Sequence, residues 1–221
     1  MTALTVIRHA QASFGAANYD LLSDLGHRQS RALGQALVRQ GVKPDHLFIG
    51  AQRRHRETLE GICEALGFDA GTAHVHEGLN EFDFKGLLEA RFREGGAPEG
   101  MHSDRRTHFR TLRDTVLAWQ RDEITDPPES WEAFAARVRA ARESMQKAGG
   151  AVLAVSSGGA IAQMITEVID APSPQMIRLQ LQMKNCAVTR FIAGREVLYL
   201  HCFNETPHID AATEADLLTY S

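Results

Sequence analysis

The sequence predicts an α/β fold, a three-layer αβα sandwich with a mainly parallel sheet and a small helical cap insertion. Strand-like and helix-like segments alternate through the first third of the chain, and residues 151–155 form the fully apolar run typical of a strand buried on both faces. A stretch rich in glycine and arginine interrupts this alternation and indicates an insertion. We therefore expect a single domain over residues 1–221 with the cap at approximately 85–126.

The first elements follow the order of a parallel sheet. Residues 4–7 are rich in β-branched side chains and predict a buried strand. Ser23 can cap a helix of regular apolar spacing that ends at Gly41. Residues 47–49 predict a second strand, and residues 57–66 predict a second helix.

After the insertion, the strand and helix pattern resumes. Ser130 opens a helix whose apolar stripe ends before the glycine pair at 149–150. Gly158 leads from the buried strand into another helix. Residues 186–192 and 197–203 predict two late strands joined as a hairpin.

Composition limits the function. The formal net charge of −4 argues against non-specific nucleic-acid binding, which needs a basic face. The sequence has no run of eighteen apolar residues that would predict a membrane span. The first strand runs directly into Arg8, so it is too short for the apolar stretch of a signal peptide, and we expect a cytoplasmic protein. The three cysteines form no C-x-x-C pair, which gives no sign of a zinc ribbon or a disulfide framework.

Polar residues follow the predicted strands, at the edge where open parallel sheets bind ligands. The candidate site residues at this edge are Arg8, His9, Gln11, Arg54, Glu81, Ser157 and Gly158. Guanidinium groups match phosphate oxygens bidentately, and helix N-termini add amide donors. A neutral imidazole can attack phosphorus, and a protonated carboxylic acid can supply a proton to the leaving alcohol. The set of groups predicts phosphoryl chemistry, provided that the pKa of Glu81 is raised.

Several of these segments resemble the histidine phosphatase superfamily, which includes the cofactor-dependent phosphoglycerate mutases. In chain order they are Arg8-His9-Ala10-Gln11 (R-H-G-[EQ] in the family), 22–29 (L-[ST]-x-x-G-x-x-Q), 54–58 (R-A-x-[QE]-T), 79–84 (L-x-E-x-D-F), 152–159 (V-x-V-S-H-G-G) and the late strand end at 203–208. The resemblance covers nearly the whole chain.

The resemblance implies a role for each site residue. It implies that His9 is the nucleophile, that Arg8 and Arg54 clamp phosphate, and that Glu81 is the proton donor. We also expect Gln11, Ser157 and Gly158 to bind the phosphate. The implied enzyme is a phosphatase that forms a phosphohistidine hydrolysed by water, needs no metal or cofactor, and acts on a small phosphate monoester.

The chain departs from the family pattern at several positions. Ser157 stands where the family has its second histidine, and the loss of such a donor costs about 100- to 1,000-fold in rate. Position 50 is Gly where Ser is common, and position 55 is His where Ala is common. Gln11, His55 or a cap arginine could supply the missing contact, and we expect Ser157→His to raise turnover. The basic run at 53–56 by itself indicates an exposed helix start.

Three alternatives stay open on the sequence. Ser156, with Asp170 and His208 following in order, approximates the nucleophile elbow of a serine hydrolase. Ser157 is also consistent with a phosphate-binding module of weak turnover. Mutase activity is less favoured because Phe14-Gly15 stands where the mutase pattern has W-N. The physiological substrate and the oligomeric state are left open.

Overall fold

The structure is a computed structural model that describes residues 2–13, 20–96, 98, 104–194 and 197–220. Its strands are β1 (Ala3–Arg8), β2 (His46–Ile49), β3 (His74–Val75), β4 (Ala151–Ser156), β5 (Val188–Ala193) and β6 (Leu198–Glu205). Its α-helices are α1 (Asp24–Arg39), α2 (Arg53–Leu66), α3 (Phe84–Arg91), α4 (Arg105–Gln120), α5 (Trp131–Ala148), α6 (Gly158–Val168), α7 (Gln175–Gln182) and α8 (Glu214–Leu217). Short 3₁₀ helices cover Ala70–Thr72 and Glu77–Leu79.

The strands form one sheet in the order β3-β2-β4-β1-β5-β6. The first four strands are mutually parallel, whereas β5 runs antiparallel to both β1 and β6. Helices flank this mostly parallel sheet, so the predicted α/β fold is confirmed. No helix in the described ranges is long and apolar enough to span a bilayer.

Alternating side chains of the strands face two separate cores. In β1, Leu4 and Val6 pack with residues of α4 to α7 in one cluster, whereas Ile7 packs with α1 and α2 in the other. The same alternation continues in β4, where Val152 faces the first cluster and Leu153 the second. This period of two places a helical layer on each face of the sheet.

The predicted caps and the apolar stripe of α5 are present. Ser23 accepts a hydrogen bond from the Gly26 backbone N–H at 3.0 Å, and Ser130 accepts one from Ala133 at 3.1 Å. The stripe that the sequence predicts after Ser130 is buried along its whole length, with Phe134, Val138, Ala141 and Met145.

The start of α2 differs from the prediction. The helix begins at Arg53, four residues before the predicted start, after Gln52, whose side chain makes no capping hydrogen bond. Arg54 is 6% exposed and His55 is fully buried, so the interpretation of the basic run as an exposed helix start is wrong for these two residues. The late strands begin one or two residues later than predicted, at Val188 and Leu198.

The interpretation of residues 85–126 as a cap stays a prediction. The range contains α3 and α4. The second half of α4 buries Val116 and Trp119 in the core cluster that also contains Leu4 and Val6. The Trp119 ring lies 5.3 Å from the ring of Phe82, which links this range to the loop after the second 3₁₀ helix.

Stability is expected to fall in acid because of His208, which lies after β6. The side chain is buried, and burial lowers its pKa to about 4. As pH falls, His208 of the unfolded chain binds a proton at the ordinary histidine pKa. In the folded protein His208 stays neutral until the pH reaches about 4. Between those values the folded state loses about 3 kcal/mol relative to the unfolded state.

Urea unfolding of wild type and His208→Leu, at neutral pH and at about pH 4.5, measures this loss. We expect the leucine variant to lose less stability on acidification. His201→Leu, at an exposed position on β6, is the matched control and should keep the wild-type loss. Equal losses in all three proteins would rule out the role of His208.

Candidate active site

The site lies where β1 and β4 end beside each other. The parallel register sets Arg8 opposite Ser156, and the His9 backbone N–H donates to the Ser156 carbonyl at 2.9 Å. The chain then turns from Ser156 through Ser157 into α6. The residues after both strands therefore leave the sheet at one point, as the sequence predicts.

The His9 side chain is held as a neutral imidazole. Its Nδ1 lies 2.7 Å from the Ala10 carbonyl oxygen, which can only accept, so we assign the ring proton to Nδ1. Burial, followed by the charges of Arg54 and Arg8, keeps the pKa of His9 well below its usual value. The Nε2 lone pair is then available for nucleophilic attack near neutral pH.

The two candidate clamps are oriented by the surrounding chain. Arg54 lies in the first turn of α2, and its Nη1 donates to Asp20 at 2.8 Å. Nη1 of Arg8 donates to the carbonyls of Met183 and Tyr220, the latter at 2.9 Å. Both guanidinium charges are close enough to His9 to lower its pKa.

The carboxyl group of Glu81, on the loop after the second 3₁₀ helix, lies at the N-terminus of α6. Its oxygens accept the backbone N–H groups of Gly159 at 3.1 Å and Phe82 at 3.3 Å. Burial raises the pKa of Glu81, and the Gly159 hydrogen bond and the charges of Arg54 and Arg8 offset part of the rise. A carboxyl that keeps its proton to higher pH is suited to general-acid chemistry.

Ser157 and Gly158 lie at the N-terminus of α6. Ser157 is fully buried, and its Oγ lies 2.8 Å from His55 Nε2 and 3.2 Å from Gln52 Oε1. A Cβ built on Gly158 would lie 3.5 Å from Arg8 Nε, so this backbone is adjacent to the first clamp.

The Gln11 side chain is directed elsewhere. Its Oε1 accepts a hydrogen bond from Ser23 Oγ at 2.8 Å, and its backbone N–H donates to Gln29 Oε1 at 2.9 Å. These described contacts place Gln11 at the start of α1 and not on the His9 ring.

Ser156 has surroundings that do not suit a nucleophile. Its side chain is fully buried, and Oγ donates to the Leu79 carbonyl at 2.7 Å. Within the described residues no hydrogen bond joins Ser156 to an imidazole, as the serine-hydrolase interpretation would require.

The sequence did not assign roles to Gly159 and Gln52. Gly159 donates to Glu81, and a Cβ at this position would lie 2.2 Å from Glu81 Oε1. Gln52 accepts from both the Glu81 backbone N–H, at 3.1 Å, and Ser157. The second glycine of the Gly158-Gly159 pair was a visible signal, whereas nothing in the sequence marks Gln52.

The last described residues pack against this site, which the sequence did not predict. The Gln29 amide nitrogen donates to the Leu217 carbonyl and to Thr219 Oγ1, both at 2.8 Å. Thr219 Oγ1 in turn donates to Asn185, whose side-chain nitrogen donates to the His9 carbonyl at 3.3 Å. The backbone that carries the imidazole is thus linked to residues 217–220.

Comparison with known proteins gives one family. Residues 4–206 match the family model of the histidine phosphatase superfamily, branch 1. The 2,3-bisphosphoglycerate-dependent phosphoglycerate mutase of Mesorhizobium japonicum is 26% identical over 190 residues, which cover 80% of this chain and 86% of that protein.

Two solved structures illustrate the shared fold. The α-ribazole phosphatase of Shigella flexneri superposes with a TM-score of 0.66 at 20% identity, over 92% of this chain and 96% of that one. A mycobacterial glucosyl-3-phosphoglycerate phosphatase in complex with inorganic phosphate gives a TM-score of 0.64 at 21% identity, over 94% and 99%. At these identities the likeness concerns the fold alone.

The close approach of Gly159 to Glu81 predicts a difference between two adjacent glycines. In Gly159→Ala the new methyl group overlaps the Glu81 carboxyl and the Phe82 ring, which we expect to cost about 1–3 kcal/mol of unfolding free energy. In the matched control, Gly158→Ala, the nearest atoms are at 3.4 Å or more, so we expect little loss. Chemical denaturation measures both, and equal losses would show that Glu81 is not packed against Gly159.

Proposed function

The chain belongs to the histidine phosphatase superfamily, branch 1, and we propose that it hydrolyses small phosphate monoesters through a phosphohistidine formed on His9. The single observation that carries this proposal is the state of the His9 ring. It is a buried imidazole with Nδ1 bonded to a carbonyl, and burial and the charges of two guanidinium groups lower its pKa and keep it neutral. Such a ring combines an available lone pair with charges that attract a phosphate dianion.

In the first step, His9 Nε2 attacks phosphorus, the P–N bond forms, and the bond from phosphorus to the ester oxygen breaks. The leaving oxygen takes a proton from the Glu81 carboxyl, whose raised pKa favours the protonated form. Arg8 and Arg54 neutralise the charge on the remaining phosphoryl oxygens. The products of this step are the alcohol, phosphohistidine and the Glu81 carboxylate.

In the second step, water attacks the phosphohistidine and the P–N bond breaks. The Glu81 carboxylate accepts a proton from this water, which restores the carboxylic acid. Orthophosphate leaves, and His9 returns to its neutral state. Every proton in the cycle passes through Glu81 and the solvent, and we propose that no metal or cofactor takes part.

A second candidate is mutase activity, favoured by the similarity to the M. japonicum phosphoglycerate mutase. In a mutase the phosphohistidine passes its phosphoryl group to a substrate hydroxyl and not to water. Phe14-Gly15, the sequence feature against this activity, lies outside the described residues. Assay of 3-phosphoglycerate with 2,3-bisphosphoglycerate distinguishes the two activities. Isomerisation of the 3-phosphoglycerate indicates a mutase, and released orthophosphate indicates a phosphatase.

The first test of the proposal is trapping of the intermediate. A panel of ³²P-labelled monoesters, quenched in alkali, should leave label on wild type that is released by acid, as expected for phosphohistidine. His9→Ala should carry no label and release no orthophosphate. Label on Ser156 or Ser157 would support serine chemistry instead, and phosphate binding without turnover on the whole panel would support a phosphate-binding module.

The second test separates proton donation from phosphate binding. Glu81→Gln should lower kcat about 100- to 10,000-fold for alkyl phosphates, whose leaving oxygen needs a proton. It should lower kcat much less for a nitrophenyl phosphate, whose leaving group is stable as an anion.

The pH profile gives an independent measure of the same role. Since Glu81 must be protonated in the first step, wild-type kcat should fall as pH rises through its raised pKa. This decline should be absent in Glu81→Gln, which has the same substrate ionisation and serves as its control. In the leaving-group comparison, an equal loss of kcat for alkyl and nitrophenyl phosphates in Glu81→Gln would show that Glu81 is not the acid.

A further inference from the structure

We propose that His55 and Ser157 together replace the second histidine of the family, and that Gly50 provides the space that His55 needs. This inference rests on the proposed phosphatase function and names a further part of its machinery. Ser157 would contact the phosphoryl group, and His55 would act through Ser157 as a positioning residue.

The hydrogen bonds give a direction to the pair. Gln52 Oε1 accepts the Glu81 backbone N–H at 3.1 Å, which fixes this atom as an oxygen. We assign the one proton of the Ser157 hydroxyl to this oxygen, which lies 3.2 Å away. In this assignment His55 carries its ring proton on Nε2, which lies 2.8 Å from Ser157 Oγ and donates to it. The result is a chain from the imidazole N–H through the hydroxyl to Gln52.

The His55 ring lies beside the nucleophile. Its centroid is 5.7 Å from the centroid of the His9 ring, and both His55 and Ser157 are fully buried. Burial, with the charge of Arg54, holds the pKa of His55 well below its usual value. The His55 imidazole is therefore neutral and enclosed next to His9, unlike the imidazole of a surface histidine.

Gly50 is the third member of the group. A Cβ at this position would lie 2.3 Å from His55 Nδ1 and 2.6 Å from Asn80 Oδ1. The serine common in the family at position 50 would thus displace the His55 ring or the Asn80 side chain. Three separate departures from the family motifs, at 50, 55 and 157, are in contact in the folded chain.

The geometry suggests how the pair works when phosphate binds. The Ser157 hydroxyl turns from Gln52 to a phosphoryl oxygen, so that one hydrogen bond is exchanged for another and no covalent bond changes. His55 continues to donate to Oγ, which fixes the hydroxyl and strengthens it as a donor. An imidazole on α2 and a hydroxyl on α6 would then supply the contact that a single histidine makes elsewhere in the family.

Three of the other sequence candidates for this contact, two cap arginines and Gln11, have partners of their own. Arg91 donates to Thr115 at 2.8 Å, and Arg93 pairs with Asp126 at 3.2 Å, both within residues 85–126. Gln11 is bonded to Ser23. Among these candidates His55 alone has a described contact with Ser157.

Occupation of this space by His55 reverses the sequence-based expectation for position 157. The Ser157 Oγ atom already lies 2.8 Å from His55 Nε2. A histidine at position 157 extends further from the same Cβ and therefore meets the His55 ring. We therefore expect Ser157→His alone to lower turnover and not to raise it. The same substitution should become favourable once His55 is removed.

The first experiment compares two substitutions of His55 of similar size. His55→Gln keeps an N–H donor near the position of Nε2, whereas His55→Leu fills the space without a donor. We expect kcat of the leucine variant to fall about 10- to 100-fold, and the glutamine variant to recover most of this loss. Equal kcat in His55→Leu and wild type, with both folded by circular dichroism, would overturn the proposal.

The second experiment tests whether the positions depend on one another. Ser157→His and His55→Ala should each lower kcat, whereas His55→Ala/Ser157→His should exceed both single variants, and addition of Gly50→Ser should be tolerated only in that background. Losses that simply multiply in the double variant would overturn the proposal, because independent positions behave additively in free energy.

Binding of inorganic phosphate separates this inference from the proposed function. Titration calorimetry needs no turnover, and we expect His55→Leu to weaken phosphate binding and His55→Gln to restore it. If wild type lacks phosphatase activity but follows this order, the proposed function fails and the replacement stands. If wild type is active and phosphate binds equally to all three proteins with equal kcat, the replacement fails and the proposed function stands.

Discussion

The candidate site depends on the parallel pairing of β1 with β4. Arg8 lies opposite Ser156, and the bond from the His9 backbone to the Ser156 carbonyl extends the ladder one residue beyond β1. A slip of one residue would turn every β1 side chain to the opposite face of the sheet. Because Val6 and Ile7 are packed in separate cores on the two faces, such a slip would disrupt the packing of both cores. The two cores that stabilise the sheet thus also set the position of the His9 ring.

Burial has opposite effects on the two titratable groups that the proposed reaction uses. It lowers the pKa of His9, since the imidazolium loses solvation, and it raises the pKa of Glu81, since the carboxylate does. A neutral base and a protonated acid can then coexist at one pH. The charges of Arg8 and Arg54 limit the rise at Glu81, which keeps the acid able to lose its proton during the cycle.

Local patterns predicted the sheet and the caps at Ser23 and Ser130, because strand periodicity and capping are properties of adjacent residues. The same patterns placed candidate residues after β1 and β4, and their roles stay predictions. The start of α2 was missed because Gln52 makes no side-chain cap, so the signal for a helix start was absent. The contact between His55 and Ser157 joins positions 102 residues apart. Such a contact, like the lack of room at Gly159, becomes visible only when separate elements are packed together.

The hydrogen bonds of residues 217–220 connect the far end of the described chain with its first strand. Gln29 holds Leu217 and Thr219, and Arg8 holds the Tyr220 carbonyl. These contacts bridge more than 180 positions of sequence, so they form only when the far end of the described chain lies against β1 and α1. Local fraying there would remove an acceptor from a guanidinium beside His9 while leaving the sheet intact. The orientation of that guanidinium is therefore coupled to the packing of residues 217–220.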